Sequence, residues 1–321
     1  MFSQETIDRI ARTPLSQILI LALVLTAIRL VAYVATTRTP VHKQGFFHKG
    51  MNVASDLMDS LIYAAVFIFM VVRPYFFQTF QIPTGSMVPT NLVGDYIGLN
   101  KAVYRYTDPK RGDIVVFRPP VEACNPDQID KDGTVRTDFV KRLIGMPGEL
   151  VEIKQGQIFI DGKPLFEPYK QMTASEDGKV FSILTPEQKA AWPKANWKLV
   201  NYNNTLYPLN YTEYDANSSM PRRDGLGYPY SVVSKYAIDD PTEWQKVKDL
   251  PAEKIPNGYY LFMGDNRNGS SDGRAWGLIP RSNIVGRAEF VWLPLSRFGK
   301  MHHIDNGEKA GSDAVVPEFL R

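Results

Sequence analysis

The sequence predicts a mainly β protein behind two N-terminal transmembrane helices. Three observations lead there. Two apolar runs, at 14–37 and 60–77, open a chain of 321 residues. Short runs rich in β-branched and aromatic residues, bounded by Gly, Pro, Asp and Asn, dominate the chain after residue 80. Between about 163 and 255 that pattern lapses into a polar, irregular stretch full of Asn, Tyr and Pro. A second β-rich region inserted between two halves (78–162 and 256–300) of one β domain would read this way.

The first run, "PLSQILILALVLTAIRLVAYVATT", carries one charge, Arg29. It exceeds the roughly 20 apolar residues a bilayer span requires. Arg29 is a flaw that a snorkelling side chain or a partner helix would accommodate. A buried core helix is the alternative for such a run. The second, "SLIYAAVFIFMVVRPYFF", has a short charge-free core, Ser60 to Val72. It spans if Tyr75 to Phe77 sit in the interface and Arg73 reaches the headgroups. A cleaved signal peptide fits poorly, because Glu5 and Asp8 precede the first run and no small-residue cleavage site follows it. The 38–59 connection holds Arg38, Lys43 and Lys49, which puts it in the cytoplasm by the positive-inside rule. The 1–13 tail and everything after about residue 75 then lie outside.

The expected strands are "DYIGLNKAVY" at 95–104, "DIVVF" at 113–117, "FVKRLIG" at 139–145, "LVEIKQGQIFIDG" at 150–162, "YYLFMGD" at 259–265 and "NIVGRAEFVWL" at 283–293. "KQGQIFIDG" reads as a hairpin strand followed by a turn. No long helical pattern appears after residue 80 outside 186–198. There, "TPEQKAAW" at 185–192 predicts a short helix with Thr185 as N-cap and Pro186 at its first position. A C-terminal tail, 301–321, closes the chain.

Composition narrows the function. Apolar content of 44% and charged content of 22% allow a sizeable core, and a net charge of +3 is too small to argue for nucleic acid. Cys124 is the lone cysteine, so no internal disulfide and no thiolate metal cluster can form. There are four histidines, His42, His48, His302 and His303. Two lie in the 38–59 connection and two at the C-terminal tail, so none sits in the β body to serve a Ser-His-Asp triad or a zinc site. No phosphate-cradling glycine loop is present. A hydrolase built from this inventory needs a serine with another base.

Lysine is the remaining base, provided that burial or a neighbouring cation depresses its usual value near 10.4. In "DFVKRLIG", strand alternation puts Phe139, Lys141 and Leu143 on one face and Val140, Arg142 and Ile144 on the other. Lys141 then sits between two large apolar side chains, which favours its neutral form. Arg142 is a candidate for a surface or structural pair. Taken alone, a lysine in a strand is more often a snorkelling edge residue. In "QIPTGSMVPT", 81–90, Pro83 and Pro89 each lock one backbone angle on either side of Gly85 and Ser86. In "GDNRNGSSDGRAWG", 264–277, Ser270 is placed to donate to an amine, and Asp272 and Arg274 are placed to pair. Alone, that stretch is equally an ordinary long turn.

Taken together, four blocks resemble the bacterial type I signal peptidases, membrane-bound Ser-Lys endopeptidases that remove signal peptides from exported proteins. The blocks are "QIPTGSMVPT", "RGDIVVF" at 111–117, "DFVKRLIGMPGE" at 138–149 and "GDNRNGSSDGRAWGLIPRSNIVGRA" at 264–288, behind two apolar runs. The resemblance implies a signal-peptidase-like β catalytic domain, with Ser86 as nucleophile and Lys141 as general base. It implies an oxyanion hole from the Ser86 amide and the Thr84 hydroxyl, where the family usually carries serine. Ser270 matches a hydrogen-bond partner of the lysine, Asp272 and Arg274 a supporting ion pair, and Gly264 a glycine that lets the chain approach the base. Ile82, Pro83, Met87, Phe139 and Val140 match pocket residues for small substrate side chains. Gly273 stands where other members often carry serine, at a position not expected to be catalytic. The resemblance further implies a multi-pass protein of the bacterial cytoplasmic membrane, with its catalytic domain on the outer side. Its partners would be preproteins with small residues before the cut, the lipid bilayer and the secretion machinery. No cofactor and no metal are called for.

Overall fold

The computed structural model describes residues 15–37, 46–72, 75–176, 180–191, 195–211, 238 and 240–301. The 1–13 tail, Arg38, Lys43, Arg73 and the histidines at 302–303 lie outside the described residues. The chain divides into two compact units, 1–79 and 80–321.

The first unit holds α1 (Leu15–Thr37) and α2 (Phe46–Phe67), the latter continued by a wider π turn at Ile68–Val72. The second helix begins inside the stretch expected as a loop, at residue 46 rather than 60. The segment 46–59 contains no proline and offers Met, Leu and Ala, so helix propagates N-terminally from the apolar run. Two spans were expected. Among the described residues one helix is long and apolar enough to cross a membrane, over Ser55–Val72; α1 contributes only a shorter apolar stretch, Ala22–Val31. Arg29 Nη2 pairs with Asp59 Oδ2 at 2.6 Å, and its guanidinium lies 5.7 Å from the centre of the Tyr33 ring.

The body is built on two sheets. Strands β1 (Phe77–Gln81), β2 (Tyr96–Asn100), β3 (Ile114–Phe117), β4 (Phe139–Gly145), β12 (Tyr259–Met263), β13 (Ile279–Pro280) and β14 (Ile284–Leu293) form the first, in the order β1-β2-β14-β3-β4-β12-β13, with β15 (Gly299–Lys300) beside β14. The long β14 lies inside the sheet and pairs with β2 along one edge and β3 along the other, with one register shift against β3 and two against β2. Such irregularities bend a strand and increase its local twist. The expected strand at 95–104 stops at Asn100. The Asn100 side-chain oxygen accepts from the amides of Ala102 and Val103 and so starts a helical turn, α3 (Val103–Tyr106).

The second sheet takes β5 (Val151–Lys154), β6 (Gln157–Ile160), β7 (Lys163–Pro164), β10 (Trp197–Tyr202) and β11 (Thr205–Asn210), in the order β11-β10-β5-β6-β7. It therefore starts before residue 163 and recruits the 150–162 hairpin. Its two-residue turns at Gln155-Gly156, Asp161-Gly162 and Asn203-Asn204 have both residues at positive φ, as tight hairpins require. The β10–β11 hairpin was not expected in a stretch read as irregular, although "YNNT" is hairpin-turn chemistry. A small hairpin, β8 (Thr173–Glu176) with β9 (Val180–Ile183), and α4 (Pro186–Ala191) follow β7. The Thr185 hydroxyl accepts from Gln188 N at 3.3 Å, and Gln188 Oε1 accepts from Thr185 N at 2.8 Å, closing a capping box. A further helix of nine residues, α5 (Pro241–Asp249), lies outside 186–198, where no long helical pattern was expected. Asp240 caps it by accepting from Thr242 N at 2.8 Å, with Pro241 in the first turn.

The core has layers on both faces of β3 and β4. Ile114 and Val116 pack with Ile82, Met87, Ile97 and Leu99, while Val115 and Phe117 pack with Leu143, Phe262 and Trp276. A third layer joins Ile144, Leu261 and Met263 of the first sheet to Ile153, Ile158, Trp197 and Leu199 of the second. With both faces covered, a polar side chain on β4 is desolvated whichever way it points.

Candidate active site

The nucleophile block leaves β1 and is held by backbone bonds before it turns. Ile82 N donates to Asp95 O at 2.8 Å, and Gly94 N donates to Ile82 O at 2.8 Å. Thr84 is extended, and Gly85–Met87 form a single 3₁₀ turn closed by Val88 N on Gly85 O. Met87 and Ile82 anchor this turn in the core. Ser86 is buried, and among the described residues nothing accepts its amide N–H. That is usual for the first donors of a helical turn.

Lys141 reaches this turn from β4. Its Nζ lies 2.8 Å from Ser86 Oγ, so a protonated amine donates to that oxygen and a neutral one can accept its proton. Nζ also donates to Val140 O at 3.1 Å and sits 5.6 Å from the centre of the Phe139 ring. Burial pushes the Lys141 amine down to about 8; Asp272 and Asp265 pull the other way, and Arg274 adds to the depression.

The 264–277 loop closes the other side. Arg274 Nε donates to Asp272 Oδ1 and Nη2 to Oδ2, each at 2.8 Å, with both residues buried. Asp272 Oδ2 also accepts Gly264 N at 2.9 Å. Burial alone would raise the Asp272 carboxyl; Arg274 and these hydrogen bonds outweigh it and hold the carboxyl below its usual range. Gly264 is a close-approach glycine, but its neighbour is the nucleophile turn. A Cβ there would stand 2.5 Å from Ser86 O and 2.2 Å from Ser270 Oγ. The expected bond from Ser270 to the lysine is not made. The buried Ser270 hydroxyl finds no partner with full hydrogen-bond geometry, yet it is near enough to Asp272 to help lower that carboxyl. The lysine amine is turned instead toward Ser86 and Val140 O. Gly273 is packed tightly, since a Cβ there would meet Phe262 O at 2.9 Å.

A cleft of about 550 Å³ opens along these groups. Ile82, Pro83, Met87, Phe139 and Val140 all line it, as do Thr84, Ser86 and Lys141. Thr84 Oγ1 lies 3.3 Å from Ser86 Oγ.

Sequence reasoning missed the layer behind the lysine. Of the surface or structural pair expected for Arg142, the structure makes the structural one: Nε and Nη2 donate to the two oxygens of Asp265 at 2.8 and 2.7 Å, and its guanidinium lies 4.0 Å from the centre of the Tyr169 ring. Thr90 Oγ1 donates to the same Asp265 at 2.5 Å. Beside them Arg267 pairs with Glu167. The alternation of β4 signals that Arg142 faces away from Lys141, but Asp265 is 123 residues distant in the chain.

Comparison with known proteins agrees with the blocks in the sequence. Residues 55–293 match the family described as signal peptidase, peptidase S26. The signal peptidase I of Aquifex aeolicus is 33% identical over 232 residues, covering 72% of this chain and 80% of that protein. That of Haemophilus influenzae is 29% identical, over 77% of this chain and 72% of its own. That of Pseudomonas aeruginosa is 28% identical, over 78% and 76%. The crystal structure of a signal peptidase I from Enterococcus faecalis covers 56% of this chain and 97% of its own at 21% identity, with a TM-score of 0.27, too low to carry weight. The chain belongs to the S26 family of signal peptidases, the enzymes that cleave signal peptides.

Proposed function

We propose that this protein is a membrane-anchored serine endopeptidase that cleaves signal peptides from exported preproteins through a Ser86–Lys141 dyad. One observation carries the reading: the Lys141 amine lies 2.8 Å from the Ser86 hydroxyl in a buried setting that favours the neutral amine. Lys141 takes the Ser86 proton as Oγ bonds to the scissile carbonyl carbon, and the carbonyl electron pair moves to oxygen. The Ser86 N–H and the Thr84 hydroxyl meet that oxyanion. Collapse breaks the C–N bond, and the lysine ammonium gives its proton to the leaving amine. Water deprotonated by Lys141 then attacks the acyl ester; collapse breaks the ester C–O bond, and the lysine ammonium returns its proton to Ser86 Oγ.

Asp272, Arg274, Ser270 and Gly264 hold this geometry from the 264–277 loop. Ile82, Pro83, Met87, Phe139 and Val140 form the walls against which an extended substrate lays small side chains. Two N-terminal helices anchor the enzyme, with the 38–59 segment cytoplasmic and the catalytic domain on the outer face, where a signal peptide emerges from the bilayer. The Arg29–Asp59 pair supports a two-span hairpin, because Asp59 at the cytoplasmic edge of the second span gives Arg29 of the first a partner.

The test uses full-length protein in detergent and a preprotein with Ala one and three residues before the cut. Wild type is expected to cleave it, and Ser86→Ala and Lys141→Ala are not. Equal rates for all three would end this reading. Protease accessibility of the 38–59 segment from each side of sealed vesicles tests the topology.

A further inference from the structure

Asn266 touches both peptide groups that flank the nucleophile. Its backbone N donates to Ser86 O at 3.1 Å, and its side-chain Nδ2 donates to Gly85 O at 3.0 Å. Nδ2 spends its other proton on Thr173 Oγ1 at 2.8 Å, so the amide cannot swivel. Asn266 is fully buried, and its Oδ1 is left without a partner. Gly269 keeps the space open, since a Cβ there would stand 2.5 Å from Asn266 Nδ2. Thr173, in turn, is gripped through its backbone: N donates to Asn268 Oδ1 at 2.9 Å, and O accepts from Asn268 Nδ2 at 2.7 Å.

The peptide joining Gly85 to Ser86 is planar, with C=O and N–H pointing in opposite directions. Whatever fixes Gly85 O therefore aims the Ser86 N–H. We propose that Asn266, held by Thr173 of the inserted region, is a positioning residue that aims the Ser86 N–H at the oxyanion. This rests on the Ser86–Lys141 reading above and adds a donor-orienting group to it. It also ties the region after β7 to catalysis without any contact with substrate.

The experiment compares full-length wild type, Asn266→Leu, Thr173→Val and Lys141→Ala in detergent. The readouts are kcat and KM on the preprotein and inhibition by a peptide aldehyde, whose hemiacetal oxygen occupies the oxyanion position. Losing an aimed donor typically lowers kcat by about 10²-fold. Asn266→Leu is expected to show such a loss with KM within about twofold, and to weaken the aldehyde by a similar factor. Binding of the cleaved signal peptide and the pH midpoint of the rate are expected to stay unchanged. Thr173→Val is expected to show the same pattern at smaller size, and it carries the test if Asn266→Leu does not fold. Wild-type kcat in the folded variant overturns the proposal, as does a loss of kcat with undiminished aldehyde affinity. If Lys141→Ala cleaves like wild type, the dyad itself fails, and the proposal with it.

Discussion

Arg142 and Asp265 form a two-pronged ion pair inside the core, one residue along β4 from Lys141. Strand alternation sends Lys141 to the cleft and Arg142 to the opposite side. There the guanidinium ties β4 to the loop that follows β12 and donates to Gly112 O at 2.8 Å. The pair thus braces the lysine's strand from behind. Truncating one member of a buried pair strands the other charge and typically costs about 3–5 kcal/mol. Asp265→Ala is expected to lose stability in that range, read as a lower midpoint in chemical denaturation at pH 7. An unchanged midpoint would mean that Arg142 finds other acceptors.

The rate should follow the protonation of Lys141. A buried lysine is a base only when neutral, so kcat/KM should rise with pH and level off above about 8. Asp272 works to keep the ammonium, so Asp272→Asn should move the midpoint to lower pH. Stability follows the same sign: between the folded value near 8 and the usual value near 10.4, the unfolded chain binds more protons, so folding strengthens as pH rises through that window. A rate that keeps climbing toward about pH 10 would place the lysine in solvent.

Gly264 allows no side chain. The Cβ of Gly264→Ala would press on Ser86 O at 2.5 Å, and relief requires moving the nucleophile turn or the loop. Displacement on the order of 1 Å costs roughly 10²-fold in rate. Preprotein cleavage by Gly264→Ala should fall by about that factor; cleavage within twofold of wild type would show that the turn yields freely.

Thr84 tests the second oxyanion donor. Thr84→Val keeps shape and loses the hydroxyl, so kcat should drop by about 10²–10³-fold, while Thr84→Ser should retain most activity. Similar rates for both variants would leave the Ser86 amide to act alone.

Much of this was legible in the chain. The exclusion of histidine, the alternation around Lys141, the apolar runs and the main strands all depend on local pattern, which period and residue type encode directly. The β10–β11 hairpin and α5 also carried local signals, in Asn203-Asn204 and in Asp240-Pro241, though the polar background hid them. Tertiary structure alone decided the rest. It set Lys141 Nζ 2.8 Å from Ser86 Oγ, a pairing the four blocks already implied, and joined Arg142 to Asp265 across 123 positions. It turned the lysine toward Ser86 and Val140 O rather than Ser270, set Gly264 against Ser86 O, and brought Asn266 to Gly85 and Thr173. Residue type says what a side chain can donate, accept or bury. Which partner it meets depends on how distant strands stack, and a burial deep enough to bring a lysine down to about 8 exists only once both faces of β4 are covered.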